Sequence, residues 1–224
     1  GEHLVIYHIV DEYVGYAALD AERAERVRQR ERSLIARADL VLVTSQALLA
    51  SKGGINPNTH WVPNAVDYAR FAQAAQVRAL PAELAGRPSP WIGYVGAIND
   101  KIDLSLLEQV AERWPQATLV LVGPERVQEP DNRAAAARLH ARPNVCFVGQ
   151  VGVERVPEFV AACDVGLLPY RLNDWTRNIH PLKLYEYLAC GLPVVSTDIP
   201  AVHEQTDVVQ IAADAAHFVS AIAV

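Results

Sequence analysis

Apolar runs of strand length alternate with helical patterns along almost the whole chain. LVIYHI (4–9) is followed by a long helical pattern over about 18–38, by LVLVTS (40–45) and by a short helix near 45–51. This is β-α-β-α order. HWVPNAVD (60–67) predicts a strand entering a turn, and YARFAQAA a short helix. The rhythm breaks at QVRALPAELAGRPSP (76–90), which carries three prolines and a glycine, so a domain boundary is expected there, with 1–75 in one domain and 76–224 in the other.

Beyond the break the alternation resumes. WIGYVGA (91–97), ATLVLVG (117–123), NVCFVG (144–149), DVGLLP (164–169), PVVST (193–197) and DVVQIA (207–212) predict strands. Helices are predicted over 103–113, 132–141, 153–162 and 181–189, with a closing helix at the end. Strands this apolar are covered on both faces, and repeated β-helix-β order with such strands predicts an α/β fold with a doubly wound parallel sheet. Ligands in that architecture sit beyond the carboxyl ends of the strands. The loops GAINDK, VGPERV, VGQVGV and PYRLNDWTRNIH therefore open toward one rim. The chain enters an apolar strand almost at once from Gly1, and AAHFVSAIAV stops within a helical pattern without a cap, so a fragment is expected.

Composition narrows the function. With 224 residues, 51% of them hydrophobic, the chain can bury a sizeable core. Its net charge of -6 and pI near 5.6 argue against a general nucleic-acid binder, because neutralising phosphates needs a basic face. No apolar run reaches the roughly 20 residues that cross a bilayer. Cys146, Cys163 and Cys190 are odd in number and set among apolar neighbours, which fits reduced core thiols. No HxxxH pattern or Cys/His cluster offers a metal site.

The chemistry concentrates in NIHPLKLYEYLACGLPVVSTDIP (178–200). Pro181 suits a first helical position, so a helix starts beside His180. The free N–H groups and positive dipole end of that helix favour an anion, and Lys183 in the first turn adds a full charge. Glu186 lies roughly 7 Å along the helix from that end. A diphosphate at the helix start would leave an attached ribose about that far away, where a carboxylate accepts hydrogen bonds from vicinal hydroxyls, as in dinucleotide sites. The alternative is an exposed i,i+3 ion pair between Lys183 and Glu186, worth ~0.3 kcal/mol. Gly96, at the end of a strand, would let backbone approach a phosphate, and Lys101 could reach the same anion. The stretch is not GxGxxG, which argues against an NAD enzyme.

HPLKLYEYLACGLPVVST, with DVGLLPY before it, VPNAVD (62–67), WIGYVGAINDKIDLSLL and NVCFVGQV, resembles the group 1 family of retaining glycosyltransferases with the GT-B fold. YHIVDEY (7–13) is similar to the YD-VDD-type stretch of one branch of that family. The resemblance spans nearly the whole chain, and 181–197 is its most specific part. It implies two Rossmann-like domains, the first only partial here, the second binding a nucleotide-diphosphate-sugar donor without a metal or other cofactor. Glu186 matches the second glutamate of the family's E-x7-E motif, which contacts the donor ribose, while Asn178 stands where the first glutamate is usual. Gly96-Ala97-Ile98 replaces the frequent Gly-Arg-Leu and Lys101 falls near the family's lysine, so Lys183 and the helix start would bear more of the diphosphate's charge. Gly149 and Val151 would offer backbone contacts to the base.

The resemblance further implies that the diphosphate leaves as an anion stabilised by basic groups and helix N-termini, while an acceptor hydroxyl attacks from the same face. Lys183, His180 and Asp11 are the catalytic candidates, Asp11 because with Glu12 it would follow the first strand toward an interdomain cleft. Trp175 could stack on a sugar or anchor its loop. The expected partners are the donor and a glycan or lipid-linked acceptor, in a cytoplasmic setting. The helix 21–38, with six arginines against three glutamates, could touch anionic lipid at the inner membrane face. Its plainer account is a solvated face with i,i+4 pairs such as Glu22 with Arg26. A nucleotide-sugar-binding module or inactive fragment without transfer activity is the competing reading, and an epimerase on nucleotide sugars lacks positive support.

Overall fold

The computed structural model describes residues 3–15 and 20–222. Gly1, the expected helix start at 18 and the last two residues lie outside them. Two compact units emerge: residues up to 65 together with 172–181, and residues 66–171 together with 182–224.

The first unit is a three-stranded parallel sheet in the order β1-β2-β3, formed by β1 (Ile6–Ile9), β2 (Leu40–Val43) and β3 (Thr59–Trp61). Helix α1 (Ala21–Arg37) joins the first two strands and α2 (Gln46–Lys52) the last two. Asp20 caps α1 by accepting from the Arg23 N–H at 2.8 Å, and Ser45 caps α2 through the Leu48 N–H at 3.1 Å. Ile9, Ile35, Val41, Val43 and Leu48 form its core. Glu31 also faces inward from α1, only 5% exposed, and Lys52 meets it at 2.6 Å while reaching Glu12 at 3.1 Å. Arg26 pairs with Glu22 at 2.8 Å, as expected for a solvated helix face.

The second unit is a six-stranded, all-parallel sheet. Its strands are β4 (Trp91–Val95), β6 (Thr118–Val122), β8 (Val145–Gly149), β9 (Val165–Leu168), β10 (Val194–Thr197) and β11 (Val209–Ala212), in the spatial order β11-β10-β9-β4-β6-β8. The strand order therefore reverses between β4 and β9, the doubly wound Rossmann-like arrangement that the apolar runs predict. Every residue of β6 and β9 is buried. The helices are α3 (Tyr68–Val77), α4 (Leu104–Arg113), α5 (Pro130–His140), α6 (Val156–Ala162), α7 (Leu182–Ala189) and α8 (Ala215–Ala221). A short parallel pair, β5 (Ile98–Asn99) with β7 (Glu125–Arg126), lies outside the main sheet and was not expected.

Helix α3 packs on α6 and α7, with Phe71 buried and Arg78 pairing with Asp164 at 3.0 Å. These contacts place it in the second unit, ahead of the composition break at 76–90. The strand entering a turn expected over 60–67 is β3 at Thr59–Trp61, and Pro63, which cannot donate to a ladder, follows its end. All three cysteines are free thiols. No helix among the described residues is long and apolar enough to cross a membrane.

Candidate functional site

At the carboxyl ends of β4 and β6 the second unit opens a cavity of about 220 Å³. Gly96, Gly123 and Pro124 border it from the strand ends, Val151 and Val156 from the segment after β8, and Leu182, Lys183 and Glu186 from α7. The cavity adjoins the strand order reversal, where ligands bind in open α/β sheets.

Two glycines make this corner possible. Gly123 has φ +138, and a Cβ there would fall 2.2 Å from the Gly96 carbonyl oxygen, so the two loops touch backbone to backbone. Gly96 has φ +146, and a Cβ on it would fall 1.9 Å from Lys183 Cε and 2.4 Å from Nζ. The space that glycine leaves is filled by the lysine side chain. The Gly96 N–H is itself engaged, donating to Val122 O at 2.7 Å. Lys183 Nζ also stands 5.4 Å from the centre of the Tyr94 ring, a cation-π contact, and the Tyr94 hydroxyl donates to Ala97 O at 3.0 Å.

Helix α7 comes this close to the sheet because β9 carries a glycine, Gly166, beneath it. The Tyr187 ring lies where a Cβ on Gly166 would be, 2.5 Å away, and its hydroxyl accepts from the Val95 N–H at 2.9 Å. Gly93, the register partner of Gly166, clears space for Cys163 Sγ in the same way. A glycine inside a buried strand marks such close approach, and that signal was available in GYVGA and DVGLL.

The electrostatics follow from burial. Desolvation pushes the Lys183 ammonium down to about 8, opposed by Glu186 and aided by the positive charge of Lys101. Burial raises the Glu186 carboxyl above its ordinary range, with Lys183 working against the shift. The alternative of a solvated i,i+3 pair does not describe this geometry, since both side chains line the cavity and lose water there. A lysine so placed gains most from an anion that replaces the lost hydration.

The structure brings Gly96, Val151, Lys183 and Glu186 to one cavity, with Lys101 near enough to influence Lys183. Gly149 ends β8 at φ +83, its carbonyl accepting from the Gly123 N–H at 2.8 Å, and a Cβ there would meet open space. Asp11, Asn178 and His180 belong to the first unit. Asp11 is buried and accepts from the Trp175 indole N–H at 3.2 Å, so Trp175 anchors its loop. Asn178 ends a short 3-10 turn, its amide donating to Asp174 O at 2.7 Å and its carbonyl accepting from Ser45 Oγ at 2.7 Å. His180 is buried, and its carbonyl accepts from Asn64 Nδ2 at 2.6 Å. Gly123, Pro124, Val156 and Leu182 also line the cavity although the sequence did not single them out.

The sequence model of the family described as "Glycosyl transferases group 1" matches residues 89–224, which contain the whole cavity. The chain belongs to the group 1 glycosyltransferases. It is 30% identical over 185 residues to a Bacillus subtilis protein named "Putative teichuronic acid biosynthesis glycosyltransferase TuaH", a match covering 80% of this chain and 45% of that one. Sucrose-phosphate synthase from Thermosynechococcus elongatus superposes with a TM-score of 0.69 at 24% identity, covering 97% of this chain and 56% of that one. HepE of Anabaena, solved in complex with UDP and glucose, gives 0.69 at 20% identity over 97% and 60%. The chain thus spans about half the length of these relatives.

Proposed function

We propose that the cavity of the second unit binds the nucleoside diphosphate portion of a nucleotide-sugar donor, and that the protein transfers the sugar, with retention, to a hydroxyl of a glycan or lipid-linked acceptor in polysaccharide biosynthesis. The observation that carries this reading is the desolvated Lys183, seated over Gly96 at the amino end of α7, with Glu186 one turn deeper on the same cavity. An anionic diphosphate would take the amino end of α7 and the Lys183 ammonium, with Lys101 adding charge where the family's arginine is replaced by Ala97. Glu186, roughly 6 Å further along the helix axis from Leu182, would accept from the ribose hydroxyls. The apolar walls from Pro124, Val151 and Val156 suit the flat face of a base. Membership of a transferase family and the name of the Bacillus subtilis relative support the reaction class.

In this reading the rate gain comes from electrostatic stabilisation of the departing diphosphate and from positioning. Lys183 does not abstract a proton; it offsets the charge that develops on the leaving oxygen. In the second half of α1 the exposed Arg30, Arg32 and Arg37 support contact with an anionic surface that presents a lipid-linked acceptor, since Glu31 is turned inward onto Lys52. In the first half Arg23, Arg26 and Arg28 pair instead with Asp20, Glu22 and Glu25.

A second reading, donor binding without transfer, is favoured by one observation: the Asn178 amide is committed to Asp174 O, where the family's typical member offers a carboxylate. Calorimetry with UDP-, GDP- and ADP-sugars followed by an assay for released nucleotide separates the two. Binding with release supports the transferase, and binding without release supports the module. Absence of binding to all three removes the site assignment itself.

A further inference from the structure

We propose that Asp100 and Asn132 are positioning residues for the cavity: together they staple the loop after β4 to the segment entering α5, and so hold the Gly96 and Gly123 corners in contact. This deepens the donor-site reading above and rests on it.

Both side chains are polar and only 5% exposed. A buried carboxylate persists where several N–H groups satisfy it. Asp100 Oδ2 accepts from the Gln128 N–H at 3.0 Å, and Oδ1 from the Glu129 N–H at 3.2 Å, just ahead of the α5 amino end. Asn132, in the first turn of α5, donates to Asp100 Oδ1 at 3.3 Å and to Ile102 O at 3.1 Å, and accepts from the Leu104 N–H at 3.4 Å. Five hydrogen bonds thus run between residues 100–104 and 128–132. The β5–β7 pair joins the same two loops nearer the cavity, Ile98 opposite Glu125 and Asn99 opposite Arg126.

What the staple holds is a close contact. Gly123 and Gly96 meet with no room for a methyl group, and Gly96 in turn receives Lys183. Lys101 follows Asp100 directly, and its carbonyl accepts from the Arg171 N–H at 2.8 Å. A drift of either loop would move Lys101 and the floor under Lys183 together, while α7 stayed on the sheet through Tyr187. Neither Asp100 nor Asn132 borders the cavity, so their effect is on position and not on contact with ligand.

The test compares Asp100→Ala and Asp100→Asn with Asn144→Ala. Asn144 makes a partly buried bridge in the same unit, donating to Ala111 O at 2.9 Å and Trp114 O at 3.2 Å, at the opposite end of β8. Thermal stability and affinity for UDP, GDP and ADP are measured for each. Asp100→Ala is expected to lower stability through its lost internal hydrogen bonds and, by letting the loop that carries Lys101 drift, to weaken the tightest nucleotide about tenfold or more. Asp100→Asn, which keeps one acceptor oxygen, should fall between it and wild type, and Asn144→Ala should lose stability but keep affinity. If Asp100→Ala does not fold, Asp100→Asn against Asn144→Ala carries the comparison. Equal affinities in the Asp100 and Asn144 variants would overturn the staple while leaving the donor site intact. Failure of wild type to bind any of the three nucleotides would overturn both.

Discussion

Lys183 lies directly over Gly96, its Cε and Nζ occupying the place where any larger residue at 96 would put its side chain. One amino acid therefore sets the depth at which the other's charge is held. The corner is built from an absence on the strand and a cation on the helix.

Gly96→Ala should break this arrangement. The new methyl group would displace the Lys183 side chain, and a non-glycine residue at φ +146 adds strain of about 1–3 kcal/mol. Nucleotide-sugar affinity should drop about tenfold or more by calorimetry, with a lower melting temperature. Gly96→Ala binding donor like wild type would mean that Lys183 does not depend on this seat.

Donor affinity should depend on pH through Lys183. Its ammonium loses its proton near 8 in the folded chain, against an ordinary value of 10.5. Below about 8 the lysine is charged and binding of the proposed anionic donor should be full; above it, affinity should fall as the charge is lost. Fold stability moves the other way. Between about 8 and 10.5 the unfolded chain binds the proton that the folded chain has released, so the burial cost of the ammonium is progressively relieved as pH rises. Titrations of a UDP-sugar from pH 6 to 10 should show the decline in wild type and a flat, weaker profile in Lys183→Ala.

Glu186→Gln should weaken donor binding about tenfold while leaving or raising the melting temperature, because a half-buried carboxylate with a raised pKa is costly in the empty site. If Glu186→Gln bound as wild type does, the ribose assignment would be lost.

Gly166→Ala tests how α7 is seated. The methyl group would meet the Tyr187 ring at 2.5 Å, and overpacking of this kind costs about 1–3 kcal/mol. Thermal unfolding should register the loss, and Tyr187→Leu in the same background should recover part of it.

In the first unit, Lys52→Ala should destabilise by about 3–5 kcal/mol, since it leaves the buried Glu31 without its cation. Adding Glu31→Ala should recover much of that loss. The double variant measured by thermal unfolding checks this, and nucleotide affinity should not change in either protein.

Much of this was legible in the chain because it rests on local pattern. The runs TLVLV and VGLL are buried at every position and apolar but for Thr118, so burial on both faces and parallel pairing followed from them. Lys183 and Glu186 were legible because helical spacing alone relates them. The Gly96–Gly123 contact was not, since two glycines 27 residues apart carry no periodic signal. The Asp100–Asn132 staple was hidden for the same reason: side-chain bonds to distant backbone leave no trace in hydrophobic alternation. The return of 172–181 to the first unit was equally unreadable, because the segment is polar and follows a strand of the second unit.

The most direct test is an amide spectrum of ¹⁵N-labelled protein titrated with UDP, GDP and ADP. A diphosphate on the amino end of α7 should shift the backbone amides of Gly96, Leu182 and Lys183 at low nucleotide concentration, with Lys183→Ala suppressing the response. Shifts confined to other parts of the sheet, or none at saturating nucleotide, would contradict it.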